Sequence, residues 1–249
     1  MSPPIPVAVS VVVPVHNEEG ACVQVAQEIV TAFSKVYGPD GFEVVFVDDS
    51  SSDHSLARLN AAMADMPQMR VLHHGKNVGK SGAIRTGVLA ARGDIIVTLD
   101  GDGQNPADDA ARMTQVLGAA PEDIGMVAGI RRNRQDKLSK KWASRWANGI
   151  RKALLNDGCD DTGCGLKAFR REVFLRLPYF DQMHRYMPSL IAREGYGVLS
   201  EPVDDRLRTT GQSKYTNIGR LAVALSDLPG VMWLNNRYRK PGKVTESGR

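Results

Sequence analysis

The sequence predicts an α/β fold in which a mostly parallel sheet is flanked by helices. Two observations carry this. A unit of apolar strand, polar or acidic loop and helix recurs three times within roughly the first hundred residues. The strand that follows, Ile95-Ile96-Val97-Thr98-Leu99, is β-branched and without alternation, so it reads as buried on both faces. At 249 residues, with 42% hydrophobic and 24% charged content, the chain is long enough for one large α/β domain or two small ones, with a sizeable core.

Taken in order, Val7 to Val13 is a β-branched strand that stops at Pro14. His16-Asn17-Glu18-Glu19 follows, and then an amphipathic helix from Ala21 to Phe33, which Asn17, Glu18 and Glu19 are suited to cap. Phe42 to Val47 is a second buried strand ending in Asp48-Asp49-Ser50-Ser51-Ser52-Asp53, with a helix over Ser55 to Met63. Val71 to His73 is a short strand leading through Lys76-Asn77-Val78-Gly79-Lys80-Ser81-Gly82 to a helix over Ala83 to Ala91. The central strand then ends abruptly in Asp100-Gly101-Asp102-Gly103-Gln104-Asn105-Pro106. Further strands are predicted over Ile124 to Gly129 and Val198 to Val203, and helices over Lys140 to Leu155, Met187 to Glu194 and Ile218 to Leu234. Lys243 to Arg249 reads as a disordered tail.

Ligands of open α/β sheets sit beyond the carboxyl ends of the strands, where the acidic loops fall. If the backbone stays extended, Asp100 and Asp102 leave the same side and can converge on one cation. Gly101 and Gly103 admit a close ligand, and Gln104 adds a neutral oxygen, a set suited to a hard divalent ion that keeps positions open for phosphate oxygens. An ordinary polar turn is the competing reading. Two other phosphate sites are excluded: the first turn lacks GxGxxG, and Gly79-Lys80-Ser81 ends like a Walker A motif but has His74 where that motif needs glycine.

A net charge of +4 and a pI near 9.0, with Arg and Lys concentrated after residue 130, suit a phosphate-bearing partner or an anionic membrane surface and are too mild for nucleic acid. Cys22, Cys159 and Cys164 show no CxxC or Cys/His metal spacing, which predicts a reduced, cytoplasmic setting. The N-terminus lacks the layout of a signal peptide, and no run of eighteen apolar residues predicts a membrane span.

Pro14-Val15-His16-Asn17-Glu18-Glu19, Val47-Asp48-Asp49-Ser50 and Asp100-Gly101-Asp102-Gly103-Gln104 together resemble the three ordered motifs of family 2 inverting glycosyltransferases with a GT-A fold. The nearest branch is the one containing dolichyl-phosphate mannose synthase and bacterial polyprenyl-phosphate glycosyltransferases, and the resemblance runs from about residue 7 to about residue 236. It implies a single GT-A domain over 1–236, with a nucleotide-sugar half over about 7–130, an acceptor half over about 131–216 and an amphipathic helix over about 217–236. Pro14, His16 and Glu18 would line the nucleoside pocket, with Val47 and Asp49 against the base of a GDP- or UDP-linked sugar; His16 stands where synthases of that branch commonly carry tyrosine. Asp100, Gly101 and Asp102 would form the DxD-type turn, with Asp102 and Gln104 holding Mg2+ or Mn2+ on the donor diphosphate.

In the second half the resemblance assigns Arg131, in Ile130-Arg131-Arg132-Asn133-Arg134, to the donor phosphate, and Arg208 and Lys214, in a loop similar to RxxGxSKY, to the closing diphosphate site. Arg145, Asn148 and Arg151 would make a polar stripe facing an acceptor or water. Asp161, in Asp160-Asp161-Thr162-Gly163-Cys164-Gly165, falls where relatives that glycosylate hydroxyls place their base; a lipid phosphate acceptor would leave it an orienting role. Cys164 suits a small buried residue, and His184 suits either an acceptor contact or a turn. The implied reaction is metal-dependent inverting transfer to a polyprenyl phosphate. The alternatives are a saccharide or other hydroxyl acceptor, and a nucleotide-sugar-binding protein without catalysis. A polyprenyl acceptor would bring the chain to the cytoplasmic face of the inner membrane as a peripheral protein, with Leu221, Leu225, Leu228, Met232 and Trp233 on a helix that either docks there or simply packs on the domain.

Overall fold

The computed structural model describes residues 7–132, 155, 158–206 and 217–239, with side chains of the last segment from Ser226 onward. Among these residues the strands β1 (Val9–Val15), β2 (Phe42–Asp48), β3 (Met69–His73), β4 (Ile95–Thr98), β5 (Ile124–Arg131), β6 (Lys167–Arg170) and β7 (Gly197–Val203) form one sheet in the order β3-β2-β1-β4-β6-β5-β7. All pairings are parallel except those of β6, which runs antiparallel to both β4 and β5. The helices are α1 (Cys22–Tyr37), α2 (Ser55–Ala62), α3 (Gly79–Ala90), α4 (Ala107–Ala119), α5 (Arg171–Leu175), α6 (Met187–Arg193) and α7 (Asn217–Arg237).

The apolar runs of the strands serve two faces at once. Val11, Val13, Val15, Val44 and Phe46 pack on one side with Ile29 and Phe33 of α1 and Met113 and Leu117 of α4. Val12, Ile96 and Phe169 pack on the other with Ile84 and Val88 of α3 and Leu190 and Ile191 of α6, and α7 adds Val231 to that side with the half-buried Leu228 and Met232 against it, so these two residues of the expected docking helix pack on the domain. Successive residues of a strand point to opposite faces, so a sheet covered on both sides needs apolar residues at every position.

Several element boundaries differ from those the sequence suggests. β1 continues through Pro14 to Val15. The Val12 carbonyl accepts the Leu99 N–H at 3.3 Å; Pro14, two residues on, faces the same neighbour just where β4 pairing has ended at Thr98. Its missing N–H therefore leaves no gap in the ladder. α3 begins at Gly79, four residues before Ala83, and α1 has no side-chain cap. Asn17 and Glu19 bond instead to the loop after β2: Asn17 Oδ1 accepts the Ser52 N–H at 2.7 Å, and a Glu19 carboxylate oxygen accepts the His54 N–H at 3.0 Å. α4, β6 and α5 are not among the elements the sequence predicts. Of the expected helix over 140–155 only Leu155 lies within the described residues, and the tail from 243 lies outside them.

At the amino ends of the strands the fold is fastened by one buried carboxylate. Glu43 of β2 has no exposed surface, yet Ser10 Oγ and the Arg92 N–H donate to one of its oxygens at 2.8 and 2.6 Å. Arg70 Nη1 and Arg92 Nε donate to the other at 2.8 and 3.0 Å. Burial opposes the Glu43 charge, but these donors outweigh it and hold the carboxyl below its ordinary value of 4.5. A depressed carboxylate stabilises the fold above its unfolded-state value, and that contribution is lost as pH falls through the folded value. Glu43→Gln is expected to lower unfolding stability in urea at pH 7 by about 2–4 kcal/mol and to flatten the loss of stability on acidification below pH 4.5. An acid limb as steep in the variant as in the wild type would remove Glu43 from this role.

Candidate active site

Parallel pairing of β2, β1 and β4 brings three chain turns to one edge: His16 to Glu19 after β1, Asp48 to Asp53 after β2, and Asp100 to Gln104 after β4. Asp49, 3% exposed, holds the start of α3. One of its oxygens accepts the Val78 N–H at 2.9 Å and the other the Gly79 N–H at 2.8 Å, and His74 Nδ1 lies 2.8 Å from the first. This satisfies helix N–H groups that have no partner within the helix and sets a negative charge at its positive end. The Asp49 carbonyl accepts from His16 Nδ1 at 2.9 Å and from Asn77 Nδ2 at 3.0 Å. His16 and Asp49 thus meet, with the Val47 side chain buried behind them and Glu18 in the adjoining turn.

The residue after Gly79 is Lys80, whose ammonium forms an ion pair with Asp100 Oδ1. Burial works against the Asp100 charge, but Lys80, with Lys167 and Arg131 farther off, prevails and holds its carboxyl below the usual aspartate value. The turn is built for close approach. A Cβ on Gly165 would lie 2.6 Å from the Asp100 carboxylate, and one on Gly101 would lie 2.9 Å from Val15 and 3.2 Å from the Pro14 carbonyl. Asp102 Oδ1 accepts the Gln104 N–H at 3.2 Å and is half-exposed. Gln104 reaches across to the chain after β7: its Nε2 donates to the Arg206 carbonyl at 3.1 Å, and its own carbonyl accepts the Arg206 N–H at 3.0 Å.

Opposite the acidic turn, Arg131 at the end of β5 and Asp161 form a two-point ion pair, Nε to Oδ2 at 2.7 Å and Nη2 to Oδ1 at 2.9 Å. Burial opposes the Arg131 charge, and the pairing with Asp161 overrides it, so the guanidinium stays protonated. Its Nη1 lies 3.8 Å from Asp205. Lys167, 4% exposed at the start of β6, donates to the carbonyls of Thr162 and Cys164 and so fixes the segment that carries Asp161 and Gly165. Burial lowers the Lys167 ammonium and pushes the Cys164 thiol up to about 11. A thiol so protonated is a small buried packing group and not a nucleophile.

Most residues singled out in the sequence therefore lie on one edge, including Pro14, His16, Glu18, Val47, Asp49, Asp100, Gly101, Asp102 and Gln104 in the first half, and Arg131 and Asp161 in the second. Arg208, Lys214, Arg145, Asn148 and Arg151 lie outside the described residues. Three contributors were passed over in the sequence: Lys80, dismissed with the Walker A resemblance although Gly-Lys-Ser at a helix start was its signal; Gly165; and Lys167. Among the described residues no three His, Cys, Asp or Glu side chains converge as a closed metal cage. One half-exposed carboxylate on Asp102, a second on Asp100 and the Gln104 amide fit instead a hard cation that takes most of its ligands from phosphate and water.

Residues 10–177, more than half of the chain, match the model of a family described as glycosyl transferase family 2. The undecaprenyl-phosphate 4-deoxy-4-formamido-L-arabinose transferase of Sodalis glossinidius is 33% identical over 210 residues, covering 84% of this chain and 63% of that protein. The enzyme of the same name from an Enterobacter species is also 33% identical, covering 84% and 62%. The chain thus spans less than two-thirds of the length of these curated relatives. A mannosyltransferase from Pyrobaculum calidifontis, solved in complex with GDP-Man and Mn2+, superposes with a TM-score of 0.67 at 22% identity over 94% of this chain and 65% of that one. Glucosyl-3-phosphoglycerate synthase from Mycobacterium tuberculosis, in complex with Mg2+ and UDP, gives 0.67 at 19% identity over 92% and 79%. The structural likenesses show the GT-A fold, and with the family match over most of that domain the chain belongs to glycosyl transferase family 2.

Proposed function

We propose that the protein transfers a sugar of mannose or glucose type from a GDP- or UDP-linked donor, with inversion, to a polyprenyl phosphate. The observation that carries this reading is the single sheet edge on which the Asp100-Gly101-Asp102 turn faces the Arg131–Asp161 pair, with Asp49 and Lys80 between the donor loops. The names of the curated relatives support a polyprenyl phosphate acceptor.

In this reading Pro14, His16, Glu18, Val47 and Asp49 shape the nucleoside pocket, and the Asp49 carboxylate acts through the loop it holds. Asp102, with Asp100 and Gln104, would hold Mg2+ or Mn2+; when bound, the cation neutralises charge that gathers on the departing diphosphate. Arg131, and Arg208 and Lys214 from the later loop, add positive charge at the same place. An oxygen of the acceptor phosphate attacks the anomeric carbon from the face opposite the diphosphate. The new C–O bond forms as the old one breaks, and the electron pair leaves with the nucleoside diphosphate. A phosphate monoester with a second pKa near about 6 is already largely dianionic at pH 7 and needs no base. This agrees with Asp161, both of whose oxygens accept from Arg131, so that taking a proton there would cost the ion pair. A hydroxyl acceptor would require that cost. The intact acidic turn argues against a binding protein without catalysis.

A polyprenyl acceptor also requires a docking face. None of the described helices is long and apolar enough to cross a membrane. Trp233 on α7 is 59% exposed, with Arg237 and Arg239 nearby in sequence, which suits peripheral contact with an anionic lipid surface.

The direct test is a screen of nucleotide sugars against polyprenyl phosphate and water, with products identified by mass; transfer only to water or to saccharides would overturn the acceptor assignment. Asp102→Ala is expected to reduce turnover by at least about a hundredfold while the thermal melt is retained. Chelation with EDTA should abolish transfer, and added Mn2+ or Mg2+ should restore it. Asp161→Asn separates the acceptor classes. With a phosphate acceptor the loss should stay within about tenfold, whereas loss of a general base costs roughly 10²–10⁴.

A further inference from the structure

The first turn of α3 carries Lys80, yet no side chain of the helix caps it, and it opens on Gly79 at φ +81°. It is held from outside at two points. Asp49 takes the N–H groups of Val78 and Gly79 on one side of Lys80. On the other side Ser81, 1% exposed, meets His184 of the 3-10 turn Met183–Arg185. The Ser81 hydroxyl lies 2.7 Å from His184 Nδ1 and accepts the His184 backbone N–H at 3.2 Å. The hydroxyl keeps its proton and a second lone pair, so it can donate to a bare Nδ1 or accept from a protonated one. Burial, and then the positive charges of Lys80, Lys167 and Arg185, keep the imidazole well below its ordinary pKa and therefore neutral, a form that pairs with the hydroxyl in either tautomer.

We propose that His184 is a positioning residue of the donor site: through Ser81 it fixes the first turn of α3, so that the Lys80 ammonium is held against Asp100. The same contact ties the segment leading into α6 to the acidic turn. Lysine has a long, freely rotating side chain, so where its ammonium rests depends on how firmly its Cα is set. Asp49 is the polar tether before Lys80, and Ser81 adds one directly after it, ahead of the apolar packing that begins at Ala83. The loop before the 3-10 turn closes over the same place, since a Cβ on Gly79 would lie 3.5 Å from Asp181 Oδ1. His184 touches neither substrate nor metal in this role, which rests on the donor assignment of the preceding section.

The test reads nucleotide binding, not turnover. UDP and GDP are each titrated into the purified protein with Mn2+ by calorimetry, and the nucleotide that binds the wild type is used for the variants. Binding of neither nucleotide would overturn the donor assignment itself. If one binds, His184→Ala and Ser81→Ala should each weaken it about tenfold, the scale of one well-formed hydrogen bond. His184→Ala should add nothing in the Ser81→Ala background, because both act through one contact. Asn places an acceptor oxygen close to the position of Nδ1, so His184→Asn should recover binding to within about threefold of the wild type, whereas His184→Gln should behave like alanine. Because His184→Asn keeps the contact and leaves a smaller cavity than alanine, it decides the matter even if His184→Ala is too unstable to measure. Unchanged binding in His184→Ala, additive losses in the double variant, or an asparagine variant as weak as alanine would each overturn the proposal while leaving the donor assignment standing.

Discussion

A single carboxylate, Asp49, decides where α3 begins, and α3 decides where the positive charge of the site lies. Two N–H groups of the incoming helix end on its oxygens, the next side chain is Lys80, and Lys80 rests on Asp100. The turns after β2 and β4 are thereby linked through one helical turn, although β1 lies between the two strands in the sheet. Asp100 stays charged because a cation sits on it, and Gly165 leaves the room in which it sits. Such an arrangement is poised between protein partners and an incoming charged ligand: what a diphosphate and its cation would displace is already ionic, so little reorganisation is asked of the surrounding dipoles.

Stability and chemistry are kept at opposite ends of the strands. The amino ends are closed by Glu43 with Ser10, Arg70 and Arg92, a network in which each carboxylate oxygen has two donors. The carboxyl ends carry the half-exposed groups, Asp102 and Gln104 among them. Between them lies a sheet with apolar side chains on both faces, which fixes the distance between the two ends and insulates one from the other.

The sheet and the edge that carries the site were legible in the sequence because both depend on local pattern: β-branched runs for buried strands, and acidic turns where those runs stop. What each acid does was not legible. Asp49 reads the same whether it holds a helix or faces a base, and only the fold shows that Val78 and Gly79 take its oxygens. Asn17 and Glu19 read as caps of α1 but bond across to the neighbouring loop, a pairing between residues some 35 positions apart that periodicity does not encode. β6 escaped notice because four residues with charge at both ends carry no strand signal; its state is imposed by β4 and β5 on either side. Pro14 gave a false stop, since proline is excluded only where a neighbour would have accepted its N–H.

The reversed direction of β6 has an architectural effect. Lys167 stands opposite both Thr98 and Ala128, so the chain that departs after β5 and comes back into β6 does both at the rim that bears the acids. The two ends of the intervening segment are anchored side by side, and its length is not dictated by the registers of β4, β5 and β6: in this sense the sheet acts as a socket with two adjacent attachment points.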